Sequence, residues 1–381
     1  MPKKRKIEPD TAEFSPFDRR CMSRALTLAG RGQGEVSPNP LVGAVVVKQN
    51  RIIGEGWHRQ YGGAHAEAEA LEAVRVAGET PEGADLYCTL EPCCFTAPDK
   101  HQPPCTNRII ESGIRQVYIA NLDPNPKVHG GGVRALRDAG ITVRSGLLSA
   151  KGACLNRGFF TFQRLGRPFV RLKIAQSLDG RIACANGDSR WITDEAARRT
   201  AHRLRSAHDA VLIGRGTALK DDPELTTRLV RGPNPLRVLL DSKLSLPLKA
   251  RLLHLPDSEK TLVLCAADHD AEKAARMREY GAQVVPLEDL SPAAALGALG
   301  DRGIRSVLVE GGGAVVAAFL KAGLWDSLTV FTAPILLGRG IDWTGDLGID
   351  AVRDAVRFAE VSLKHIGKQV LFEGLRESPA C

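Results

Sequence analysis

The chain has 381 residues, nine cysteines and a formal net charge of +8, and 43% of its residues are hydrophobic. This length allows two or three domains with ample core. An odd number of cysteines, with no secretory signal and no long apolar run, argues against a secreted disulfide scaffold and against a membrane span. We therefore expect a reduced, cytoplasmic protein. Its modest positive charge suits phosphorylated small molecules and does not demand a nucleic-acid polymer.

Basic residues cluster at the N-terminus in the run Lys3-Lys4-Arg5-Lys6. The run matches a nuclear-localisation pattern and could also contact nucleic acid. A solvated basic tail or a cloning remnant explains it equally well. We expect residues 1–13 to form a disordered tail.

Between residues 41 and 113 the sequence predicts two strands, each followed by a helix. Leu41–Val47 is an apolar, valine-rich run and predicts a buried strand. Ala64–Ala77 is rich in alanine and glutamate, with apolar residues at helical spacing, and predicts a helix. Leu86–Leu90 predicts a short strand. Pro103-Pro104-Cys105 then opens a second helix, which ends at Gly113.

Residues that can bind a metal stand at the ends of these elements. His65 and Glu67 lie in the first turn of one predicted helix, Cys93 follows a strand, and Cys105 opens the other helix. His-x-Glu followed by Pro-Cys and a later Cys is typical of zinc deaminases that act on nucleobases. Three ligands leave an open position for water, and the glutamate moves protons without binding the metal. We therefore predict a Zn²⁺ site on His65, Cys93 and Cys105, with Glu67 as the catalytic acid and base.

Simpler interpretations of the same residues exist. A histidine before a helix is often only a capping residue, and intracellular cysteines are often small buried hydrophobes. The combined order of the motif favours the metal site, and two helix N-termini converging on it are expected to favour thiolate over thiol. Cys94 is a competing ligand beside Cys93. The remaining cysteines show no metal spacing and are interpreted as structural: Cys21, Cys88, Cys154, Cys184, Cys265 and Cys381.

The second half of the chain alternates predicted strands with amphipathic stretches. Helices are predicted at Glu195–Ser206 and Asp270–Tyr280, and a tight turn at Ser177-Leu178-Asp179-Gly180. This alternation predicts an α/β domain with a mostly parallel sheet. The predicted strands are Phe169–Ala175, Ala210–Ile213, Leu236–Leu240, Thr261–Cys265, Gln283–Val285, Ser306–Val309 and Ser327–Phe331.

Two glycine-rich turns in this half indicate dinucleotide binding. Ile213-Gly214-Arg215-Gly216-Thr217 follows one strand, and Val309-Glu310-Gly311-Gly312-Gly313-Ala314 follows another and opens a helix. Backbone amides at such turns bind pyrophosphate. Neither turn has the Gly-x-Gly-x-x-Gly spacing of a first βα unit, which disfavours a standard Rossmann domain. Arg205 and Arg228 could hold a substrate phosphate or could be ordinary surface arginines.

These motifs together resemble the bifunctional deaminase–reductases of riboflavin biosynthesis along nearly the whole chain. Both sets of motifs occur in one chain and in the family's order. In the first half the motifs are Pro38-Asn39-Pro40-Leu41-Val42-Gly43, Gly54-Glu55-Gly56-Trp57-His58, His65-Ala66-Glu67, Thr89-Leu90-Glu91-Pro92-Cys93-Cys94 and Pro103-Pro104-Cys105. In the second half they are Ser177-Leu178-Asp179-Gly180-Arg181, Ser189-Arg190-Trp191-Ile192-Thr193, Asp221-Asp222-Pro223 and the glycine turn at Glu310.

The resemblance implies an α/β protein with a cytidine-deaminase-like N-terminal domain and a dihydrofolate-reductase-like C-terminal domain. It implies hydrolysis of the ring amine of a diaminopyrimidinone ribosylamino phosphate, followed by reduction of the ribosyl group to ribityl with NADPH. We place the deaminase domain at residues 14–150, a linker at 151–168 and the reductase domain at 169–376. We expect a phosphorylated pyrimidine as the substrate, a homo-oligomer, and neither a membrane nor a nucleic-acid partner.

The resemblance also implies individual site residues, which are predictions at this point. Lys173 corresponds to an active-site lysine of the reductase. The substrate-binding residues implied are Asn39, Ser189, Arg205, Leu225, Arg228 and Glu310. The cofactor-binding residues implied are Ala175, Trp191, Thr217, Asp221, Ser242, Gly312, Gly313, Ala314, Val315, Val316, Ala317 and Ala318.

The chain departs from the family pattern beside the metal motif. The loop Phe95–Gln102 is about three residues longer than usual and lacks the usual His and Gly-Lys/Arg-Thr run, and Ala64 replaces a frequent proline. Three alternatives therefore stay open. They are a reductase with an impaired deaminase loop, a nucleic-acid base deaminase, and a zinc module without catalysis, although Glu67 counts against the last.

Overall fold

The structure is a computed structural model that describes residues 13–96 and 103–376. The chain divides into two compact units, residues 1–166 and 167–381. The basic run Lys3-Lys4-Arg5-Lys6 and positions 97–102 of the predicted long loop lie outside the described residues.

The first unit is built on a five-stranded sheet with helices on both faces. Its strand order is β2-β1-β3-β4-β5, in which β1 runs antiparallel to β2 and β3, while β3, β4 and β5 are parallel. The elements in chain order are α1 (Pro16–Ala29), β1 (Gly43–Lys48), β2 (Arg51–Trp57), α2 (Ala66–Val76), β3 (Asp85–Leu90), α3 (Cys105–Glu111), β4 (Gln116–Asn121), α4 (Gly131–Asp138), β5 (Thr142–Ser145), α5 (Ser149–Leu155) and α6 (Arg157–Leu165).

The valine-rich strand β1 is buried on both faces because helices cover both sides of the sheet. Ala44 and Val46 pack in the core with α2, α3 and α4, whereas Val45 and Val47 pack in the core with α1. This alternation is the two-residue period of a strand. The predicted strand and both predicted helices of this region are confirmed to within a few residues.

Helix α1 was not predicted, although its start carries a recognisable signal. The Ser15 hydroxyl accepts a hydrogen bond from the Asp18 amide, and the Asp18 carboxylate accepts one from the Ser15 amide, which forms a capping box. Such a pair satisfies amides that the first turn of a helix leaves without partners. The Asp18 carboxylate also accepts a hydrogen bond of 2.7 Å from the buried Tyr87 hydroxyl of β3, which ties α1 to the sheet.

Residues 151–165 differ from the predicted linker. Helices α5 and α6 cover this range, and Phe159 and Phe160 pack with Leu90 in the first unit. Two helices of seven and nine residues are too short to show a clear period in the sequence. Their aromatic side chains are nevertheless part of the first unit, and the division between the units falls after Gly166.

The second unit is built on a nine-stranded sheet in the order β11-β10-β9-β8-β12-β6-β13-β16-β15, with a separate β7–β14 pair. The strands from β11 to β13 in this order are parallel, and β16 and β15 are antiparallel. The elements are β6 (Phe169–Gln176), β7 (Ala183–Cys184), α7 (Glu195–Ser206), β8 (Ala210–Gly214), α8 (Arg215–Asp221), β9 (Leu236–Leu240), β10 (Thr261–Ala266), α9 (Ala271–Glu279), β11 (Gln283–Leu287), α10 (Pro292–Gly300), β12 (Ser306–Val309), α11 (Gly313–Lys321), β13 (Ser327–Thr332), β14 (Gly340–Ile341), β15 (Phe358–Ile366) and β16 (Gln369–Arg376).

Apolar side chains alternate between two cores on the faces of this sheet. Leu212 and Val309 belong to one core, and Val211 and Leu308 belong to the other. The predicted α/β class with a mostly parallel sheet is confirmed. In the described part of the chain, no helix combines the length and apolar character that crossing a membrane requires.

Candidate active sites

The first candidate site begins at the N-terminus of α2. His65 is the N-cap residue of this helix in an extended conformation, and Glu67 lies in its first turn with 3% of its surface exposed. Glycines on β2 allow the helix to approach closely, because a Cβ at Gly56 would lie 2.4 Å from the Ala66 carbonyl oxygen. The close contact between α2 and β2 therefore fixes the position of His65 and Glu67.

Two cysteines reach the same place from other elements. Cys93 follows β3, and Cys105 is the first residue of α3 and is buried. The Cys105 and Cys93 Sγ atoms lie 3.2 Å and 3.5 Å from His65 Nδ1, and the three possible ligand atoms all lie within 4.8 Å of one another. The Cys105 amide also donates to Cys93 Sγ at 3.3 Å. The structure thus brings together the three predicted metal ligands.

These separations fit a tetrahedral zinc ion. Ordinary Zn–S and Zn–N bonds place neighbouring ligand atoms about 3.5 Å apart, and one nitrogen with two thiolates is a typical donor set for zinc. Cys94 lies elsewhere, since a Cβ on Gly131 would come within 2.7 Å of its Sγ atom. Cys94 is not part of the described cluster of possible ligands.

A helix N-terminus is expected to lower the pKa of a cysteine thiol, but the pKa of Cys105 is raised. The hydrogen bond with Cys93 and burial raise the pKa of the Cys105 thiol well above its usual range. Helix α3 has only seven residues, and its dipole does not outweigh these contributions. The charge of a metal ion therefore has to favour the thiolate that metal binding needs.

Glu67 has the properties of a proton-transfer group beside the ligands. Its Oε2 atom lies 3.5 Å from Cys105 Sγ. Burial raises the pKa of the Glu67 carboxyl, although the nearby His65 charge opposes this. A carboxyl with a raised pKa can hold a proton at neutral pH and release it during a reaction.

A cavity of about 310 Å³ opens beside these residues. The ring of His58 forms one wall: its Nδ1 atom lies 2.9 Å from the Ala64 carbonyl oxygen, and its Nε2 atom lies 3.1 Å from the Asn39 side-chain amide. These contacts require Nδ1–H to donate to the carbonyl and Nε2 to accept from Asn39. Burial lowers the pKa of His58, which agrees with this neutral form. The predicted substrate residue Asn39 therefore lies in the cavity with His65 and Glu67.

Another part of the cavity wall is the segment that follows β4. Because β3 and β4 are adjacent parallel strands, their carboxyl ends meet at one edge of the sheet. Glu91 is buried and accepts hydrogen bonds from the amides of Asp123, Gly130 and Val133 at 3.0–3.1 Å. Burial raises the pKa of Asp123, which lines the cavity, to about 7. The Glu91 carboxylate, through its three amide hydrogen bonds, therefore holds this wall in place beside Cys93.

The second candidate site is a cluster of partly buried charges in the other unit. Glu310 follows β12 and forms a bidentate ion pair with Arg205 of α7, at 2.7 Å and 3.0 Å. Lys173 of β6 lies 3.7 Å from the same carboxylate. The structure thus joins three predicted residues that are far apart in the sequence.

Opposing effects set the charge states in this cluster. Burial would raise the pKa of Glu310, but Arg205 and Lys173 outweigh it and lower the pKa to about 2. Burial lowers the pKa of Lys173, and Glu310 opposes this change. The cluster therefore keeps a fixed carboxylate and a lysine from which a proton is more easily removed than usual.

The predicted residues Leu225 and Arg228 lie on a loop beside the charge cluster. The Thr226 carbonyl accepts a hydrogen bond of 3.0 Å from Arg205, and Leu225 is buried with a left-handed φ of 56°. Arg228 is half exposed and pairs with Glu224 at 3.4 Å, so a substrate anion would have to replace that weak contact. The loop therefore presents Leu225 and Arg228 near Glu310.

The two glycine turns meet at the N-terminus of α11. The Gly312 amide donates to the Thr217 hydroxyl at 2.9 Å. Cβ atoms on Gly311 and Gly313 would lie 2.8 Å from the Val315 Cβ and the Asp342 carbonyl oxygen, so larger residues do not fit. The amides of Gly313 and Ala314, the first two residues of α11, have no acceptor within the helix. This turn suits a phosphate group.

The other predicted cofactor residues follow the carboxyl ends of four adjacent parallel strands, β9, β8, β12 and β6. Ligands of open α/β sheets bind at that edge. Arg190 donates to the Asp221 carbonyl at 2.8 Å, which brings the segment with Ser189 and Trp191 to the end of α8. Trp191 is 68% exposed and lies under Arg198. The remaining positions are Ala175 on β6, Ser242 after β9, buried Val316, half-buried Val315 and Ala317, and exposed Ala318.

Sequence reasoning missed several residues of both sites. Asp123, Asn125 and Lys127 line the deaminase-like cavity, and the Asp-Pro-Asn-Pro run after an apolar stretch could have marked them as the end of a strand. In the second unit, His202 is buried. Burial is the main cause that lowers the pKa of His202 to about 4, and the positive charge of Arg205 is the next. Its spacing of three residues from Arg205 places both on one face of α7.

Comparisons with known families agree with this division of the chain. Residues 168–372 match the family described as the RibD C-terminal domain. Residues 15–121 match the cytidine and deoxycytidylate deaminase zinc-binding region. The predicted combination of a cytidine-deaminase-like N-terminal domain and a dihydrofolate-reductase-like C-terminal domain is confirmed.

Individual relatives cover nearly the whole chain. The riboflavin biosynthesis protein RibD of Aquifex aeolicus is 41% identical over 93% of this chain and 97% of its own length. That of Bacillus amyloliquefaciens is 43% identical over 92% of this chain and 94% of its own. The crystal structure of a diaminohydroxyphosphoribosylaminopyrimidine deaminase/5-amino-6-(5-phosphoribosylamino)uracil reductase from Thermotoga maritima is 40% identical, with a TM-score of 0.85, and covers 95% of this chain and 99% of its own. The chain therefore belongs to the RibD family of bifunctional deaminase–reductases of riboflavin biosynthesis.

Proposed function

We propose that the first unit hydrolyses the ring amine of 2,5-diamino-6-(5-phosphoribosylamino)pyrimidin-4-one and that the second unit then reduces the ribosyl group to ribityl with NADPH. The observation that carries this proposal is the joining of His65, Cys93 and Cys105 beside a buried Glu67 in one cavity. Intact ligands and an intact glutamate support a working deaminase despite the unusual loop. The charge cluster at Glu310 supports a separate reductase site.

In the deaminase, His65, Cys93 and Cys105 would hold Zn²⁺, which when bound activates water and polarises it for attack on the ring. Glu67 can take one proton from the attacking water and deliver it to the ring nitrogen, and can then carry the remaining hydroxyl proton to the departing amine. His58 holds the Asn39 side chain through its Nε2 atom, and the amide oxygen of Asn39 can then accept a hydrogen bond from the ring. The water oxygen forms the new C–O bond, and the amine leaves as ammonia.

In the reductase, NADPH would supply the hydride when bound, with its phosphates on the amides of Gly313 and Ala314. Arg205 and Arg228 bind the substrate phosphate or ribose oxygens. Lys173 can donate a proton to the ring oxygen as the ribose opens, while Glu310 keeps Lys173 charged and in place. Hydride transfer to C1′ of the opened sugar then depends mainly on orientation.

The proposal has a direct test with the full-length protein loaded with zinc. Incubation with the diaminopyrimidinone phosphate alone should replace one amine by oxygen. Addition of NADPH should add two hydrogens to that product, and both changes are measurable by mass spectrometry. Reduction of supplied deaminated substrate without any deamination would show that the first unit is inactive. NADH supporting the reaction equally well would contradict the choice of NADPH.

Truncation after Gly166 should separate the two activities. Residues 1–166 form one compact unit that contains the metal ligands, the cavity and helices α5 and α6. We expect this fragment to deaminate the substrate at a rate within about tenfold of the full chain, without oxidising NADPH. A fragment ending at residue 150 is the matched comparison, and it should be less stable because Phe159 and Phe160 no longer cover Leu90. NADPH oxidation by residues 1–166 would contradict the assignment of the units.

Glu310→Gln should lower reductase kcat/KM by about 100-fold or more. The change removes the carboxylate that pairs with Arg205 and Lys173 and leaves both cations buried without their partner, at a cost of roughly 3–5 kcal/mol in unfolding free energy of the second unit. Deamination should stay within about twofold of wild type. Glu195→Gln, which removes an exposed pair with Arg199 on α7, is the control. Equal reductase activity in both variants would remove Glu310 from the site.

We also propose a cytoplasmic homo-oligomer with a phosphorylated pyrimidine as its small-molecule partner. Cys93 and Cys105 have to stay reduced in order to bind zinc, and a reducing compartment keeps them so. Strand β15 is exposed at the edge of its sheet, with Val361 56% and Leu363 67% exposed, and such an edge favours association with another chain. Light scattering of the purified protein measures the number of subunits.

A further inference from the structure

One lysine at the deaminase cavity has no ion-pair partner among the described residues. Lys127 is the single lysine or arginine among the described residues that line this cavity. Its side chain is exposed, and no carboxylate of residues 13–96 or 103–376 forms a salt bridge with it. The other ionisable side chains of the described lining are histidines, carboxyl groups, a tyrosine and Cys93.

The backbone of Lys127 is held at a fixed place relative to the metal ligands. Its amide donates to Asn125 Oδ1 at 3.0 Å, and the Asn125 amide donates to Asp123 Oδ1 at 2.8 Å. The Asp123 amide in turn donates to Glu91 Oε2 at 3.1 Å. Glu91 precedes Cys93 by two residues, so three successive hydrogen bonds connect the lysine to the segment that carries a ligand.

The cavity lining contains two chemical functions that differ in burial, a buried Glu67 and an exposed Lys127. Glu67 and the metal ligands form the end where the ring reacts. Lys127 contributes an ammonium group on a long, flexible side chain at the exposed side of the same cavity. A substrate with a pyrimidine ring at one end and a phosphate at the other matches that order of groups. An ammonium binds a phosphate as a point charge, without demanding one fixed geometry.

We propose that Lys127 binds the phosphate of the ribosylamino phosphate in the deaminase cavity and thereby selects phosphorylated substrates. This inference rests on the proposed deaminase function. The phosphate is remote from the reacting carbon and makes the same contact before and during the reaction. Lys127 therefore acts on substrate binding, and its loss raises KM and leaves kcat nearly unchanged.

The test compares Lys127→Met with wild type in the full-length, zinc-loaded protein. The two substrates are the ribosylamino phosphate and the same compound after removal of its phosphate. We expect KM for the phosphorylated substrate to rise by about 10- to 100-fold, the effect of one hydrogen bond to a charged group. Kinetics with the dephosphorylated compound should stay within about twofold. Lys127→Arg should recover most of the loss, and Lys127→Glu should exceed it.

Lys151→Met is the matched control, because Lys151 is exposed on α5 in the same unit and does not line the cavity. Deamination of the dephosphorylated substrate shows that the first unit of each variant is folded. An unchanged KM in Lys127→Met, or an equal loss with both substrates, would overturn the role of Lys127 and leave the deaminase itself intact. Failure of the wild-type protein to deaminate either substrate would instead overturn the proposed function and this inference with it.

Discussion

Glu67→Gln is expected to abolish deamination while zinc stays bound at one ion per chain. Glu67 lies beside the ligands but is not one of the three clustered ligand residues. Glutamine keeps the size of the side chain and removes its ability to exchange protons. General acid–base catalysis contributes roughly 10²- to 10⁴-fold, so the deaminase kcat should fall by about that factor. Reductase activity should not change, because Glu310 and its partners belong to the other unit.

The measurement combines zinc analysis of the purified variant with separate assays of the two activities. Glu72→Gln is a suitable control, because Glu72 lies on the same helix α2, is exposed and pairs only with Arg75 of the next turn among the described contacts. It should match wild type in both assays. Loss of zinc together with activity in Glu67→Gln would show that Glu67 supports the metal, which contradicts its assigned role.

Cys105→Ser is expected to lose stoichiometric zinc and deamination, whereas Cys94→Ser keeps both. Cys105 Sγ lies 3.2 Å from His65 Nδ1, while the Cys94 side chain lies against Gly131. Serine is a poor ligand for zinc beside a neighbouring thiolate. The longer loop between Cys93 and Cys105 has little effect on this expectation, because each doubling of loop length costs only about 0.6 kcal/mol.

Zinc content and zinc affinity at several pH values measure this prediction. Because burial and the hydrogen bond with Cys93 raise the pKa of Cys105, metal binding must displace its proton, and affinity should fall as pH falls. Thermal unfolding of each variant, followed by circular dichroism, reports whether the first unit is folded. Zinc retained in Cys105→Ser and lost in Cys94→Ser would reverse the assignment of the third ligand.

The metal site could be predicted from the sequence because its signal is local. His65 and Glu67 fall in one helical turn, and Cys93 and Cys105 each stand where an apolar strand or a helix begins or ends. Hydrophobic periodicity indicates those ends, and the carboxyl ends of neighbouring parallel strands meet by geometry. The same reasoning located the parallel strands of the second unit. Strand β15 was not predicted, although Val361 and Leu363 alternate there with polar residues in the two-residue period of a strand.

Other features depend on contacts between residues that are distant in the chain. No spacing rule connects Glu310 with Arg205 and Lys173, and only the neighbouring positions of β12, β6 and α7 bring their charges together. Glu91 is part of a recognisable motif, but its three amide partners lie 32, 39 and 42 residues later.

The sequence by itself thus determined the fold class, the candidate metal-ligand residues and the family resemblance, because periodicity and short motifs express local backbone preferences. The tertiary structure decided the pKa values, the cavity wall with Lys127 and the assignment of α5 and α6 to the first unit. Burial and electrostatic interactions depend on distances across the fold, and those distances are set only when the elements pack.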